Sequence, residues 1–512
     1  MIRRALLSCW DKTGLDVLAR GLRELGVELV ASGGTASFLD QAGIPVTFVE
    51  SVTGFPELLG HRVVTLHPAI HGGILARRDV PQDLEELEEL GITPLDLVCV
   101  NLYPFESVVA GLSVPEADAI EMIDVGGPAL LRAAGKNHRH VVPLCRPEDY
   151  ESLLEELRRG GDVSPASRRA LAHRAFATTA AYDAAIAAYL GRDEPFPETL
   201  ALAFERELQL SYGENPHQRA AYYAERGRRM HLLSRVEQHH GKPLSYNNLN
   251  DLSAGRLLAL ELDGPACVIV KHANPCGVAI GPTIGLAYDK ALASDPVSAY
   301  GGVVVLTQAV TAQLGQRLAE QFVEVLFAPG YDEQALEALV QKPGARVLDD
   351  LERRAFSPDE ADFKRVLGGV LVQDRDAARD ERERMEVVAG TVRDGLWPDL
   401  LFAWTVVKHV TSNAIVLARD GQTLGIGAGQ MSRVDAVRIA VEKAREHGHS
   451  LEGAVLASDA FFPFADGPEL ALREGMVAIV QPGGSKRDNE VIAAVDAAGA
   501  AMVFTGRRHF RH

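Results

Sequence analysis

Short apolar runs alternate with segments of helical period from the start of the chain. Ala5-Leu6-Leu7 reads as a strand, and the apolar spacing from Gly14 to Leu25 as a helix. Glu28-Leu29-Val30-Ala31 is a second strand, Ala36 to Ala42 a second helix and Val46-Thr47-Phe48-Val49 a third strand. Leu95-Asp96-Leu97-Val98-Cys99-Val100 is the clearest strand; helices near Ala117 to Ile120 and Gly127 to Ala134 follow, and His140-Val141-Val142-Pro143-Leu144 closes the series. This alternation predicts a parallel sheet with helices on both faces. Residues 151–190 read as helical, and the polar, Pro-rich stretch from Gly191 to Glu198 marks a boundary. The pattern predicts domains at 1–195 and 199–512.

The second region is again mixed α/β. Cys267-Val268-Ile269-Val270 predicts a buried parallel strand, and Pro275-Cys276-Gly277 a loop. Between them stands Lys271-His272-Ala273-Asn274, a cation, a proton shuttle and an amide at the rim of a sheet, where α/β folds bind ligands. A faint echo follows. Lys271-His272 precedes a helix and Ala293-Ser294-Asp295; Lys408-His409 precedes a helix and Ala457-Ser458-Asp459. The echo predicts two related halves, roughly 199–370 and 387–512. Residues 374–386, dense in Asp, Arg and Glu, are expected to be a solvated helix or loop.

Composition narrows the class. The 512 residues exceed one hydrophobic core, and the hydrophobic share of 47% suits a globular enzyme. The net charge of -18 argues against a general nucleic-acid or anionic-membrane binder. The cysteines Cys9, Cys99, Cys145, Cys267 and Cys276 are scattered and form no CxxC pair, which points to a reducing compartment and away from a zinc site. No apolar stretch reaches membrane-span length, and Asp11-Lys12 cuts off the first apolar run, so a cytoplasmic location is expected.

Other clusters could carry chemistry. Ser32-Gly33-Gly34-Thr35 lies between a strand and a helix, where backbone N–H groups and the helix N-terminus favour an anion. Arg62-Val63-Val64-Thr65-Leu66-His67-Pro68-Ala69-Ile70-His71 collects Arg, Thr and two His; Pro68 between them and the missing Glu of HExxH exclude a zinc pair. Asn101-Leu102-Tyr103 follows the clearest strand, and Asp124 precedes a helix leading to Lys136. Tyr212-Gly213-Glu214-Asn215 and Ser245-Tyr246-Asn247-Asn248 are rich in hydrogen-bonding groups. The basic tail from Gly506 to His512 directly follows an apolar strand and is expected to tuck into a site.

These segments together resemble the bifunctional AICAR transformylase/IMP cyclohydrolase family of purine biosynthesis. The matching motifs are Asp11-Lys12-Thr13-Gly14, Ser32-Gly33-Gly34-Thr35, Thr65-Leu66-His67-Pro68, Asn101-Leu102-Tyr103-Pro104-Phe105, Tyr212-Gly213-Glu214-Asn215-Pro216-His217-Gln218, Lys271-His272-Ala273-Asn274-Pro275-Cys276-Gly277, Ser458-Asp459-Ala460-Phe461-Phe462-Pro463-Phe464 and the Arg508 to His512 tail. The resemblance implies a methylglyoxal-synthase-like cyclohydrolase domain, then a transformylase of two cytidine-deaminase-like α/β halves. It implies formyl transfer from 10-formyltetrahydrofolate to AICAR, then dehydrative closure to IMP, in a homodimer without catalytic metal. By resemblance, His272 is the base and Lys271 the charge stabiliser of formyl transfer. Asn413 orients the formyl group, Tyr212, Asn248, Arg433, Arg508 and Phe510 hold the nucleotide, and Phe461 contacts folate. Lys136, Tyr103 and Asp124 match the cyclohydrolase's catalytic positions, with Ser32, Gly33, Gly34, Thr35, Lys12, Arg62, Thr65 and Asn101 binding phosphate and base.

Three positions depart from the family pattern: Trp10 for a small Ser, Val64 for a Lys and Ser211 for an Arg. Two fall in the cyclohydrolase site, which leaves a transformylase with a weakened cyclohydrolase as the alternative. A deaminase-like metal enzyme lacks its CxxC ligands, and a non-catalytic ligand-binding regulator does not need the Lys-His pair.

Overall fold

The computed structural model describes residues 1–110, 114–226, 236–351 and 360–512. The chain divides into two units, Met1–Glu205 with Ala224–Arg229, and Arg206–Tyr223 with Met230–His512.

In the first unit β1 (Arg4–Cys9), β2 (Glu28–Ala31), β3 (Thr47–Phe48), β4 (Leu97–Asn101) and β5 (Val142–Leu144) form a sheet of order β3-β2-β1-β4-β5. Every pair is parallel, as the alternation predicts. Successive side chains sort onto two faces. Leu7, Cys9, Leu29, Ala31, Leu97 and Cys99 pack with helices Leu15–Glu24 and Gly33–Gln41; Leu6, Val30, Val98 and Val100 pack with Pro68–Leu75 and Gly126–Lys136. The strand order reverses between β1 and β4, so their carboxyl ends open a crevice. Pro68 opens a helix instead of interrupting one. At the first helical position it lacks an N–H that would have no partner anyway, and His67 Nδ1 accepts the Ala69 N–H at 3.1 Å. The helical stretch 151–190 is two helices, Tyr150–Gly160 and Pro165–Leu190.

The second unit holds a 12-stranded sheet built from one arrangement used twice. Helix Tyr246–Ala259 precedes the hairpin Ala266–Lys271/Asn274–Ile280, helix Ile284–Ser294 and strand Val303–Leu306; helix–strand steps to Val325–Ala328 and Arg346–Asp350 follow. Helix Trp397–Lys408 likewise precedes the hairpin Ile415–Arg419/Gln422–Gly427, helix Arg433–Glu446 and strand Val455–Ser458, with steps to Ala478–Gln481 and Ala501–Phe504. The halves join where Ala279 pairs antiparallel with Gln422.

Three expectations need correction. The Cys267–Val270 run is a buried strand, but it is antiparallel to both neighbours. A wholly apolar run signals cover on both faces, here Val268 and Val270 against one core and Cys267 and Ile269 against another, and not strand direction. Pro275-Cys276-Gly277 lies inside the return strand, because the chain reverses within two residues. The echo that suggested duplication is out of register. Lys408-His409 closes a helix, and Ser294-Asp295 ends a helix where Ser458-Asp459 ends a strand. The true equivalents are Asp251 and Asp399, Ala273 and Gly421, and Gly277 and Gly425, each pair the same number of positions apart. A Cβ on Gly277 would strike the Ala291 carbonyl and one on Gly425 the Ala440 carbonyl, so in both halves a helix rests directly on the strand backbone.

Candidate active sites

In the first unit the crevice gathers much of the expected set. Lys12 donates to the carbonyls of Cys9 and of Trp10, the latter at 2.9 Å, which fixes its ammonium over the end of β1. Burial draws this ammonium below its ordinary pKa. Asn101 ties the two strand ends: Asp11 N–H donates to its Oδ1 and its Nδ2 to the Asp11 carbonyl, both at 2.8 Å. The buried Thr35 hydroxyl exchanges bonds with the Cys9 backbone at 3.0 Å, and Ser32 Oγ meets Ser8 Oγ at 2.8 Å. Those bonds leave the Gly33-Gly34 backbone at the start of helix Gly33–Gln41.

Asp124 sits at the head of helix Gly126–Lys136, where its Oδ1 accepts the Gly127 N–H at 2.8 Å. A Cβ on Gly126 would come within 3.1 Å of Thr65 Oγ1, which brings the buried Thr65 to the same helix end. Burial pushes the Asp124 carboxyl up against the pull of the Gly127 and Tyr103 N–H groups. Burial, then the Asp124 charge, pushes the Tyr103 hydroxyl up as well. Trp10 leans on Tyr103 with ring centroids 4.9 Å apart. Tyr182, which no motif marks, fixes this corner from helix Pro165–Leu190: it accepts the Asp124 N–H at 2.9 Å and donates to the Met122 carbonyl at 2.8 Å.

Two expected members are not brought to that corner. Lys136 is exposed at the far end of the helix that Asp124 heads, about 15 Å along its axis at 1.5 Å per residue. Arg62 is exposed and ion-paired to Glu121.

In the second unit His272 is exposed at the hairpin turn, with His272 and Ala273 both left-handed at φ 52° and 60°. Lys271 Nζ donates to the Gly301 and Tyr300 carbonyls at 2.9 and 3.2 Å, leaving one of its three donors for a ligand. Asp251, also not singled out, accepts the Ala273 N–H at 2.7 Å. Asn274 Oδ1 accepts the Thr411 N–H at 2.8 Å and so joins the turn to the second half near Asn413.

Arg433 is buried and tied into the fold. It donates to Asp459 Oδ1 at 2.5 Å, Ser458 Oγ at 2.8 Å and Asn413 Oδ1 at 2.7 Å, so it props Asn413. Asn248 is buried in a capping box with Ser245, and its Nδ2 donates to Glu324 at 2.9 Å. Tyr212 is half-buried, its carbonyl accepting the Tyr246 N–H at 3.1 Å, and Phe461 is partly exposed beside the buried Phe462.

The tail is tucked in, by alternate residues. His509 is buried between Asp376 at 2.5 Å and Asp380 at 2.9 Å and lies against Trp404. Arg511 donates to the His409 carbonyl at 2.6 Å. Arg508 and Phe510 remain exposed, with the guanidinium 4.5 Å over the ring. The acidic stretch expected to be merely solvated supplies both carboxylates. Among the described residues no group of His, Cys, Asp and Glu could hold a metal, and no helix is long and apolar enough to cross a membrane.

Residues 134–443 match the family model described as the AICARFT/IMPCHase bienzyme, and residues 14–129 that of an MGS-like domain. A bifunctional purine biosynthesis protein PurH of Cereibacter sphaeroides is 50% identical, covering 100% of this chain and 99% of the relative. The PurH of Anoxybacillus flavithermus is 47% identical and covers 100% of both chains. A solved structure, "Crystal structure of ForH", is 40% identical over 38% of this chain and 98% of its own, with a TM-score of 0.34.

Proposed function

From the premise that the chain belongs to the AICARFT/IMPCHase bienzyme family, we propose how its residues divide two consecutive reactions of purine biosynthesis. The protein is an AICAR formyltransferase and an IMP cyclohydrolase. Formyl transfer belongs to residues 199–512 and ring closure to 1–195, with 10-formyltetrahydrofolate as co-substrate and no catalytic metal. The enzyme is a homodimer in the cytoplasm; its cysteines, all free, suit a reducing compartment.

In formyl transfer the AICAR 5-amino nitrogen bonds to the formyl carbon, and the bond from that carbon to folate N10 breaks. The amine is conjugated to an electron-poor ring and nucleophilic only as its proton leaves. His272 takes that proton; Lys271 stabilises charge on the formyl oxygen and supports protonation of the departing nitrogen. Asn413, propped by Arg433, orients the formyl group. Tyr212, Arg508 and Phe510 contact the nucleotide and Phe461 the folate, while Asn248 acts by capping its helix. In ring closure the carboxamide nitrogen bonds to the formyl carbon, whose oxygen leaves as water with one hydrogen from each nitrogen. Folding the substrate supplies much of the rate. Tyr103, whose hydroxyl keeps its proton, and Asp124 handle the departing oxygen; Lys12, Ser32, Gly33, Gly34, Thr35, Thr65 and Asn101 bind phosphate and base. Lys136 and Arg62 take part only if substrate binding moves them.

The observation that carries the reading is His272, exposed on a clasped turn beside a pinned ammonium. With AICAR and 10-formyltetrahydrofolate, His272→Ala is expected to lose formylation by about 10²- to 10⁴-fold. A near-normal rate removes His272 from its role.

A further inference from the structure

A two-residue hairpin turn with both residues left-handed favours Asn, Asp or Gly. Here the residues are His272 and Ala273, at φ 52° and 60°. Alanine has no polar side-chain atom to offset a conformation that L residues disfavour. Its N–H is instead held from outside the turn, by Asp251 Oδ1 at 2.7 Å. Asp251 stands on helix Tyr246–Ala259, which is packed into the core by Leu249, Leu252 and Leu258, so the carboxylate has a rigid base.

The second half repeats the device. Asp399, on helix Trp397–Lys408, accepts the Asp420 and Gly421 N–H groups at 2.9 and 2.8 Å. That turn carries Asp and Gly, which suit left-handed backbone, and still keeps its clasp. The first half, with His and Ala, depends on the clasp more. Burial pushes the Asp251 carboxyl up, with the Glu324 charge adding to it, while the Ala273 N–H and the neighbouring His272 and Lys271 pull it back, so the carboxylate lies close to both members of the pair.

We propose that Asp251 is the positioning residue of formyl transfer: by accepting the Ala273 N–H it sets the backbone from which the His272 imidazole projects. This rests on the reading of His272 as the base. The clasp acts through the turn backbone, on the angle at which the imidazole meets the amine.

The test uses the full chain in steady-state assays with AICAR and 10-formyltetrahydrofolate. Asp251→Ala is expected to lower kcat by about 10²-fold with the KM for AICAR held within about threefold, as a mispointed catalytic group does. Asp251→Asn keeps an oxygen for the same N–H and should hold kcat within about fivefold of wild type. Adding Ala273→Gly to Asp251→Ala should recover about threefold or more, because glycine takes left-handed backbone freely. Wild-type kcat in Asp251→Ala, or equal losses in the Asn and Ala variants, overturns the proposal. His272→Ala run in parallel separates the two claims. If it is inactive while Asp251→Ala is normal, only the clasp fails; if it is active, the base assignment itself fails.

Discussion

The family resemblance puts a lysine at position 64, beside Thr65, whose hydroxyl reaches the helix headed by Asp124. This chain has Val64 there, half-buried against the core under β1, β2 and β4. A lysine can lay its stem along the same apolar surface and carry its ammonium outward. Val64→Lys is therefore expected to raise the cyclisation rate of purified formyl-AICAR by about tenfold, within the range of one added electrostatic stabiliser. Unchanged turnover would mean that other groups already supply that charge. Single residues were only partly legible. Lys271 and His272 could be singled out because a strand end places them. That Arg433 and Asn248 are also held inside the protein was not legible, since their partners Asp459 and Glu324 lie far off in the chain.

At the scale of elements, the tail is a clasp with a pH window. Burial drives the His509 imidazole down, but its bonds to Asp376 and Asp380 outweigh that and hold it above its ordinary value. Burial likewise raises both carboxyls, and their bonds to His509, joined at Asp380 by the Trp404 N–H, bring them below theirs. A raised imidazole stabilises below its unfolded pKa of about 6.5, and that contribution fades as pH rises through the folded value. Lowered carboxylates stabilise above about 3.9, and theirs fades as pH falls through their folded values. The clasp is full between those limits. Hydrogen-exchange protection of residues 505–512, corrected for chemical exchange rate, should fall as pH rises from about 6.5 through the raised imidazole value, by about tenfold for each unit the imidazole is held up. His509→Gln should be flat across that range; a flat wild-type profile would sink the clasp. That the basic tail directly follows an apolar strand hinted that it docks. The acidic stretch around Asp376 gave no hint of the receptor, because charge density alone reads as solvation. Strands and helices of the first unit were legible from period, whereas the direction of the Ala266–Lys271 strand depended on a two-residue turn that no Gly, Asn or Asp announces.

For the whole molecule, a net charge of -18 repels phosphorylated substrates at long range, so the proposed sites depend on local donors such as Lys12 in one unit and Arg508 in the other. The duplication inside the second unit was legible in kind, yet the motifs that suggested it were chance matches. The spacing shared by Asp251–Asp399 and Gly277–Gly425 was the true signal, and it is invisible until one knows which residues clasp turns and which let a helix rest on a strand. If ring closure resides in one unit and formyl transfer in the other, disabling one leaves the other intact. Asp124→Asn should still formylate AICAR but accumulate formyl-AICAR, its cyclisation slowed by about 10²-fold. His272→Ala should leave AICAR untouched yet cyclise formyl-AICAR supplied from outside. Neither variant alone then converts AICAR to IMP at more than about a hundredth of the wild-type rate, but an equal mixture restores conversion, because the first releases what the second consumes. A mixture that makes no IMP, with each half-reaction intact in its own variant, would show that the intermediate never leaves the molecule that makes it; loss of both half-reactions in either variant would refute the division itself.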